Sequence, residues 1–274
     1  MSKFRFILKF IIRKQNNYKY NWNLLFPFIG VIIGCMTVAL TLSIMEGMEY
    51  AIFTKLEKIS FPGKIENISS VDIDEVRQFL QHNEILYQRG IEDKIMIMNG
   101  GAFRLVTIHG VEKFKKFKDE VLDLDRKELI GLKNIPAVYV GRSLAVKLDV
   151  HIGDTVMILH PKKINIFTGI PNSKQMVIGG VFEMDIIDYD QQHIFCQYDE
   201  VNHFLNKKQN NLYLETALSN EISALIQQKF TDIHYRFWEN KHQSFIAAMK
   251  LEKFTYSIIG FLIVGIAGFT LMSM

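Results

Sequence analysis

The residues able to do chemistry are few and scattered. Met184 to Asp190, MDIIDYD, gathers Asp185, Asp188 and Asp190, enough carboxylate oxygen for a hard cation if one loop presented it. The segment lacks the glycine and the terminal glutamate of a calcium loop, so it reads as a turn or a polar contact surface. His193 and Cys196 have a spacing found among zinc ligands, but no second pair completes a tetrahedral site. Glu183 and Asp185 alternate on a candidate strand, and neither a nucleophile nor a metal ligand is paired with them. The eight histidines include no two spaced one helical turn apart. There is no phosphate loop of the G-x-x-x-x-G-K type, no G-x-S-x-G and no H-E-x-x-H. No catalytic residue and no metal site is expected in this chain.

Two uncharged runs organise the rest. Leu24 to Met45, LLFPFIGVIIGCMTVALTLSIM, contains no Lys, Arg, Asp or Glu in 22 residues. At about 1.5 Å of rise per residue it crosses a hydrocarbon core of roughly 30 Å. Phe254 to Met274 is a second such run. The expected organisation is a cytoplasmic basic segment over 1–23, a transmembrane helix over 24–45, a polar domain over 46–253 and a second transmembrane helix over 254–274. A cleaved signal peptide is not expected, because the first run and its basic leader are too long and no small-x-small site follows. Ten further uncharged residues follow Cys35, which argues against lipoprotein processing at that cysteine.

Charge orients the chain. Residues 1–23 carry Lys3, Arg5, Lys9, Arg13, Lys14 and Lys19 and no acid, leaving 26 basic against 29 acidic residues beyond them. Basic residues collect on the cytoplasmic side of a first span, so the N-terminus is expected inside and residues 46–253 outside. Arg5, Lys9 and Arg13 recur on one helical face beside Phe6, Ile7, Phe10 and Ile11, a pattern for the inner membrane interface. A basic cluster abutting a span faces lipid headgroups, so membrane lipids rather than nucleic acid are its partner. Gly30 and Gly34 form a G-x-x-x-G spacing that permits close helix packing. Cys35 and Cys196 cannot easily meet as a disulfide, and both read as buried small hydrophobes.

Between the spans the pattern is mixed helix and strand. Ile44, Met48, Ile52, Leu56 and Ile59 keep one apolar helical face until Phe61-Pro62-Gly63 breaks it, as a stalk would. Ile91–Met98 and Ala102–His109 flank Asn99-Gly100-Gly101 as a hairpin. Ala137–Leu148 reads as strand, glycine turn and short helix, and Thr155–Leu159 and Gln175–Phe182 as strands. Pro161–Lys174, with two prolines and little periodicity, reads as an exposed loop. Trp238–Lys253 reads as helix running into the second span.

In this order the pieces resemble the LolC/LolE permeases of the MacB/FtsX-like superfamily of ABC transporter membrane subunits. The resemblance rests on a basic amphipathic start, a span ending SIMEGME, VYVGRSLAVKLDVHIGDTV, FEMDIIDYD, and WENKHQSFIAAMKLEK before the second span. It implies an α+β fold, a MacB-like periplasmic domain of two subdomains on helical stalks, flanked by two transmembrane helices in the bacterial inner membrane. It also implies a non-catalytic subunit that works with a cytosolic LolD-like ATPase, which binds the ATP and magnesium, and with a second permease subunit as homo- or heterodimer. Such complexes release lipoproteins to a periplasmic LolA-like carrier. The resemblance assigns a carrier-binding loop to Phe167, Ile170, Pro171 and Lys174 and lipoprotein entry to Met45 and Met48, although Glu46 replaces a more usual neutral residue. The family has four spans with a cytosolic coupling loop between the second and third. Ending at Met274, the sequence is expected to be a fragment, a truncated frame or half of a split permease. Alternative functions are an FtsX-like regulator of cell-wall hydrolases, a MacB-like efflux subunit, or a two-span extracytoplasmic sensor.

Overall fold

The computed structural model describes residues 22–68, 73–122, 124, 136–164, 171–205, 210–230 and 233–272. These divide into two compact units, residues 22–51 with 242–272, and Ile52–Lys241.

The first helix, α1 (Trp22–Ser60), runs without interruption from the apolar run into the polar sequence. It stops where Phe61 takes a positive φ of 60° ahead of Pro62; proline cannot continue a helix. The order continues β1 (Gly63–Ile68), α2 (Ile73–His82), β2 (Tyr87–Asn99), β3 (Ala102–Val111) and α3 (Phe114–Val121). Next come β4 (Ala137–Gly141), α4 (Arg142–Leu148), β5 (Thr155–Ile164), β6 (Pro171–Phe182), α5 (Ile187–Gln192), β7 (His193–Gln197) and α6 (Tyr198–Leu205). The chain then forms β8 (Asn210–Leu214), α7 (Asn220–Lys229), β9 (His234–Phe237), α8 (Trp238–Lys241) and α9 (Gln243–Met272).

Within Ile52–Lys241 there are two lobes. Strands β2-β8-β1-β9 lie side by side and all antiparallel, with α2 following β1 and α7 following β8. This is the order of a β-α-β-β-α-β ferredoxin-like lobe, closed by Ile65, Val76, Leu80, Leu212, Leu214 and Ile226. In place of its central hairpin connection, the chain from the second half of β2 to β7 builds the other lobe. There the pairings β3–β7, β7–β4, β4–β6, β6–β5, β5–β2 and β2–β3 return to their start, a closed six-stranded circuit. Alternation puts Ile95 and Ile97 of β2 inside with Ile108, Val140, Ile158 and Ile194, as a period of two requires. The β2–β3 hairpin turns on Gly100 at φ +57°, with no positive φ at Gly101, the arrangement of a II′ turn.

A third cluster anchors the end of α1. Leu56 and Ile59, at 1% and 2% exposure, pack with Phe117, Phe182, Phe195 and Tyr213. Burying each contributes about 1.5–3 kcal/mol.

Several expectations change. The loop expected over Pro161–Lys174 is mostly a ladder: β5 runs to Ile164 and β6 starts at Pro171, with Leu159 opposite Ser173 and Ile158 opposite Lys174. Pro171 is tolerated because it is the first residue of its strand, and Pro161 falls where the register breaks between His160 and Ile164. Glu183 and Asp185 do not alternate on a strand, since β6 ends at Phe182. Strand β9 escapes a reading by hydrophobic runs because His234-Tyr235-Arg236-Phe237 is short and half polar. Trp238–Lys253 is broken by a turn at His242 between α8 and α9. Cys196 is buried as expected, while Cys35 is exposed on α1.

Among the described residues one helix is long and apolar enough to cross a membrane, Ile29–Ser60 within α1. The second uncharged run lies on α9, a helix of 30 residues.

Candidate functional site

Three places carry the sequence-assigned residues or the strongest electrostatics. The first is a polar cluster beside the end of α1. β1 presents Lys64 and Glu66, β2 presents Glu92, and β3 presents His109 on one side of the sheet, since alternate residues share a face. Lys64 Nζ lies 2.9 Å from Glu66 and 3.0 Å from Glu92; Arg236 pairs with Glu66 at 3.1 Å and Lys241 with Glu92 at 3.2 Å. These groups surround a cavity of about 70 Å³ with Ser60, Tyr213 and Trp238 in its wall. The Tyr213 hydroxyl has no protein hydrogen-bond partner among the described residues.

Burial disfavours the charged forms of Lys64, Glu92 and His109, and the neighbours outweigh it at Lys64 and Glu92. Burial opposes the Lys64 ammonium, but Tyr213, Glu92 and Glu66 outweigh it and hold its pKa above the ordinary lysine value. Burial also opposes the Glu92 carboxylate, and the facing His109, Lys241 and Lys64 hold its pKa well below the carboxylate range. His109, fully enclosed, is pushed by burial well below 6.5 against the pull of Glu92. It is therefore neutral at pH 7, sharing a 2.7 Å hydrogen bond with His193 Nδ1 through its Nε2. Tyr189 stacks on His193, His193 on His109 and His109 on Phe195. The arrangement holds elements together by paired charge and stacked rings; it aims no activated nucleophile at a substrate.

The acidic segment MDIIDYD is dispersed by its fold. Asp185 pairs with Lys55 of α1 at 2.9 Å, while Asp190 turns inward and accepts from the Met184 N–H at 2.9 Å. Burial raises the Asp190 pKa. His193 and Cys196, three apart on β7, face opposite sides of the sheet and do not converge. Among the described residues no group of three His, Cys, Asp or Glu side chains forms a metal site.

The second place is the β5–β6 hairpin. Pro171 stands opposite Ile164 at its upper end. Lys174 is tied to α6 by an ion pair of 2.6 Å with Glu200 and a 3.3 Å hydrogen bond to the Glu200 carbonyl. Phe167 and Ile170 lie outside the described residues.

The third place is the helix pair of the first unit. A Cβ on Gly34 would meet Ile263 Cγ2 at 3.3 Å, and one on Gly260 would meet Val38 Cγ1 at 2.7 Å, whereas Gly30 has nothing within 4 Å. Among the described residues the close approach thus uses Gly34 and Gly260, and a Cβ on Gly30 meets none of them. Lys253 of α9 pairs with Glu49 at 3.2 Å and Glu46 at 3.6 Å on α1. Met45 is buried and Met48 is 48% exposed, so they do not share one environment.

No family model matches this chain. It is 23% identical over 283 aligned residues to the lipoprotein-releasing system transmembrane protein LolC of Neisseria meningitidis serogroup B, covering 97% of this chain and 68% of that protein. The LolC protein of Buchnera aphidicola subsp. Schizaphis graminum is 22% identical, covering 93% of this chain and 68% of the relative. Over most of its length the chain is similar to LolC proteins. A solved structure, the extracellular domain of the noncanonic ABC-type transporter YknZ from Gram-positive bacteria, is also similar. It is 10% identical, covers 63% of this chain and 98% of that one, and has a TM-score of 0.41. The LolC likeness, covering 97% of this chain, runs through both units.

Proposed function

We propose that this chain is a non-catalytic permease subunit of an ABC transporter that releases lipoproteins from the bacterial inner membrane. The observation that carries the reading is the co-linear likeness to LolC proteins over 97% of the chain. In this reading α1 and α9 both span the membrane, the basic N-terminus is cytoplasmic and residues 46–253 are periplasmic. A cytosolic ATPase binds ATP and magnesium, and a second permease subunit completes the assembly. A helix pair with close glycine contacts, and an α1 that continues unbroken into the polar lobes, suit a part that transmits motion rather than one that performs a reaction.

The β5–β6 hairpin is the proposed carrier site, with Phe167, Ile170 and Pro171 as contacts. Lys174, held by Glu200, stiffens its base. Met45 and Met48 are the proposed lining for lipoprotein entry, where flexible thioethers fit varied acyl chains.

The test is ATP-dependent transfer of a lipoprotein to its periplasmic carrier, measured in vesicles reconstituted with this chain, its ATPase and its second permease. Transfer that needs this chain, and that Pro171→Ala reduces at unchanged ATP hydrolysis, supports the reading. Wild-type carrier binding and transfer by Pro171→Ala sinks the hairpin assignment. ATP hydrolysis without any transfer sinks the substrate.

A further inference from the structure

Three strands set a row of hydrogen-bond donors over the cavity beside the end of α1. Lys64 on β1 stands opposite Tyr213 on β8 and opposite Arg236 on β9, and directly opposed residues share one face of a sheet. Glu66 lies two residues further along β1 on the same face, and β2 and α8 bring Glu92 and Lys241 to it. All six line the cavity of about 70 Å³. The Tyr213 side chain is fixed there. Phe61 stacks on its ring at 4.7 Å, and Gly90 approaches so closely that a Cβ would overlap it. Tyr213 is 2% exposed, and its hydroxyl faces the charges of Lys64, Glu92 and Glu66 with no hydrogen-bond partner among the described residues. Native proteins rarely leave a buried hydroxyl in that condition, because its desolvation is not offset.

The balance of donors and acceptors indicates what would satisfy it. Every carboxylate oxygen of Glu66 and Glu92 already faces a cation. Glu66 Oε1 and Oε2 meet Lys64 and Arg236, and Glu92 Oε2 and Oε1 meet Lys64 and Lys241. Ammonium and guanidinium groups offer more N–H donors than these pairs use. Lys64, Arg236 and Lys241 stand against Glu66 and Glu92 alone, with His109 neutral, so the wall holds more positive than negative charge. A water accepts from Tyr213 but must then donate its own protons to oxygens that are already engaged. An anion accepts and donates nothing. At about 30 Å³ per water, the cavity takes a monatomic anion with one water beside it and has no room for a phosphate ester or a lipid headgroup.

We propose that this cavity binds a small monovalent anion of the size and charge of chloride, held by the Tyr213 hydroxyl, Lys64 and Arg236. Bound there, the ion offsets the excess positive charge and links β1, β8 and β9 close to the places where the chain enters and leaves the Ile52–Lys241 unit. The site stands independently of the lipoprotein reading, and either can fail alone.

The experiment uses the full chain in lipid nanodiscs and chloride as the probe, with gluconate, too large for the cavity, replacing it at constant ionic strength. Thermal unfolding and chloride NMR linewidths are measured for the parent, Tyr213→Phe and Arg236→Gln. Chloride should raise the parent's melting temperature by about 3 °C, the response of a unit this size to a ligand at about ten times its Kd. It should also broaden the chloride resonance beyond that of protein-free nanodiscs. In Tyr213→Phe both responses should fall by at least half. Arg236→Gln, at a side chain that is half exposed and so tolerant of change, should weaken chloride binding several-fold. Equal melting of the parent in chloride and gluconate, with no added broadening, overturns the site and leaves the cavity to water. A chloride response of full size in both variants overturns it as well, by placing the ion elsewhere on the chain.

Discussion

Lys64 and Lys241 meet on opposite oxygens of one carboxylate. Glu92 Oε2 lies 3.0 Å from Lys64 Nζ and Oε1 lies 3.2 Å from Lys241 Nζ. Lys64 stands just after α1 ends at Ser60, and Lys241 just before α9 begins at Gln243. One side chain on β2 therefore ties the two places where the chain enters and leaves the Ile52–Lys241 unit.

Glu92→Gln should destabilise that unit by about 3 kcal/mol, the low end for removing one partner of a buried pair, because Glu66 still faces Lys64 at 2.9 Å. The denaturant midpoint should fall with the m-value unchanged. A loss under about 0.5 kcal/mol, the size of an exposed-pair effect, would show that the three groups act independently.

Acid should weaken the same region in two stages. His109 has a folded pKa below its ordinary 6.5, so the unfolded chain takes up the proton first. Stability then falls as pH drops below about 6.5, by up to roughly 1.4 kcal/mol per pH unit. Glu92, with a depressed folded pKa, adds stability that is fully present above about pH 4.3 and is lost as pH falls further. The groups facing His109 are Glu92, His193, Lys241 and Lys64, so no unpaired acid is there to welcome a second imidazole proton. Stability measured from pH 7.5 to 5 should decline in the parent and stay flatter in His109→Gln. An equal slope in both would assign the decline to other groups.

In the α1–α9 pair, Gly260→Ala and Gly30→Ala should differ. The new methyl at 260 would sit 2.7 and 2.9 Å from the two Cγ atoms of Val38, a side chain nearly fixed in one rotamer on a helix. Relief requires the helices to part, at about 1–3 kcal/mol. Gly30→Ala meets nothing within 4 Å among the described residues and should be neutral or better. Thermal unfolding in detergent micelles separates the two, and equal behaviour would deny the close approach of α1 and α9.

Sequence periodicity exposed the elements that bury one face. The Leu56–Ile59 end of the α1 stripe, the β2–β3 hairpin about Gly100 and the strand–turn–helix at Gly141 all follow from local chemistry, whereas Ile44 and Met48 of that stripe stay exposed. The β5–β6 ladder did not, because prolines and lysines at 161–174 carry no alternation, and backbone pairing across the hairpin decides the strand instead. The Glu92 cluster was equally invisible. Lys64, Glu92, His109 and Lys241 are far apart in sequence, and only the crossing of β2 through both lobes assembles them. The G-x-x-x-G spacing marks a face of α1 without naming its partner: among the described residues Gly34 approaches Ile263, and Gly260 approaches Val38 from the other helix.

Gly141 offers the sharpest steric test. It is buried at the β4–α4 junction, and a Cβ there would lie 2.3 Å from the carbonyl oxygen and 2.5 Å from the Cα of Asp190. Those are backbone atoms, and they are held in place: the Asp190 N–H donates to Ile186 O at 3.0 Å, and its carboxylate accepts from Met184 at 2.9 Å. No rotamer change relieves the clash, so α4 or α5 must move. Gly141→Ala should cost about 3 kcal/mol or more, the upper range for overpacking, and sharply reduce folded yield. Gly101→Ala, with open space around it and no positive φ, should stay within about 0.5 kcal/mol of the parent. Urea midpoints of the two variants decide the matter, and a Gly141→Ala protein as stable as Gly101→Ala would mean that β4 and α5 do not approach this closely.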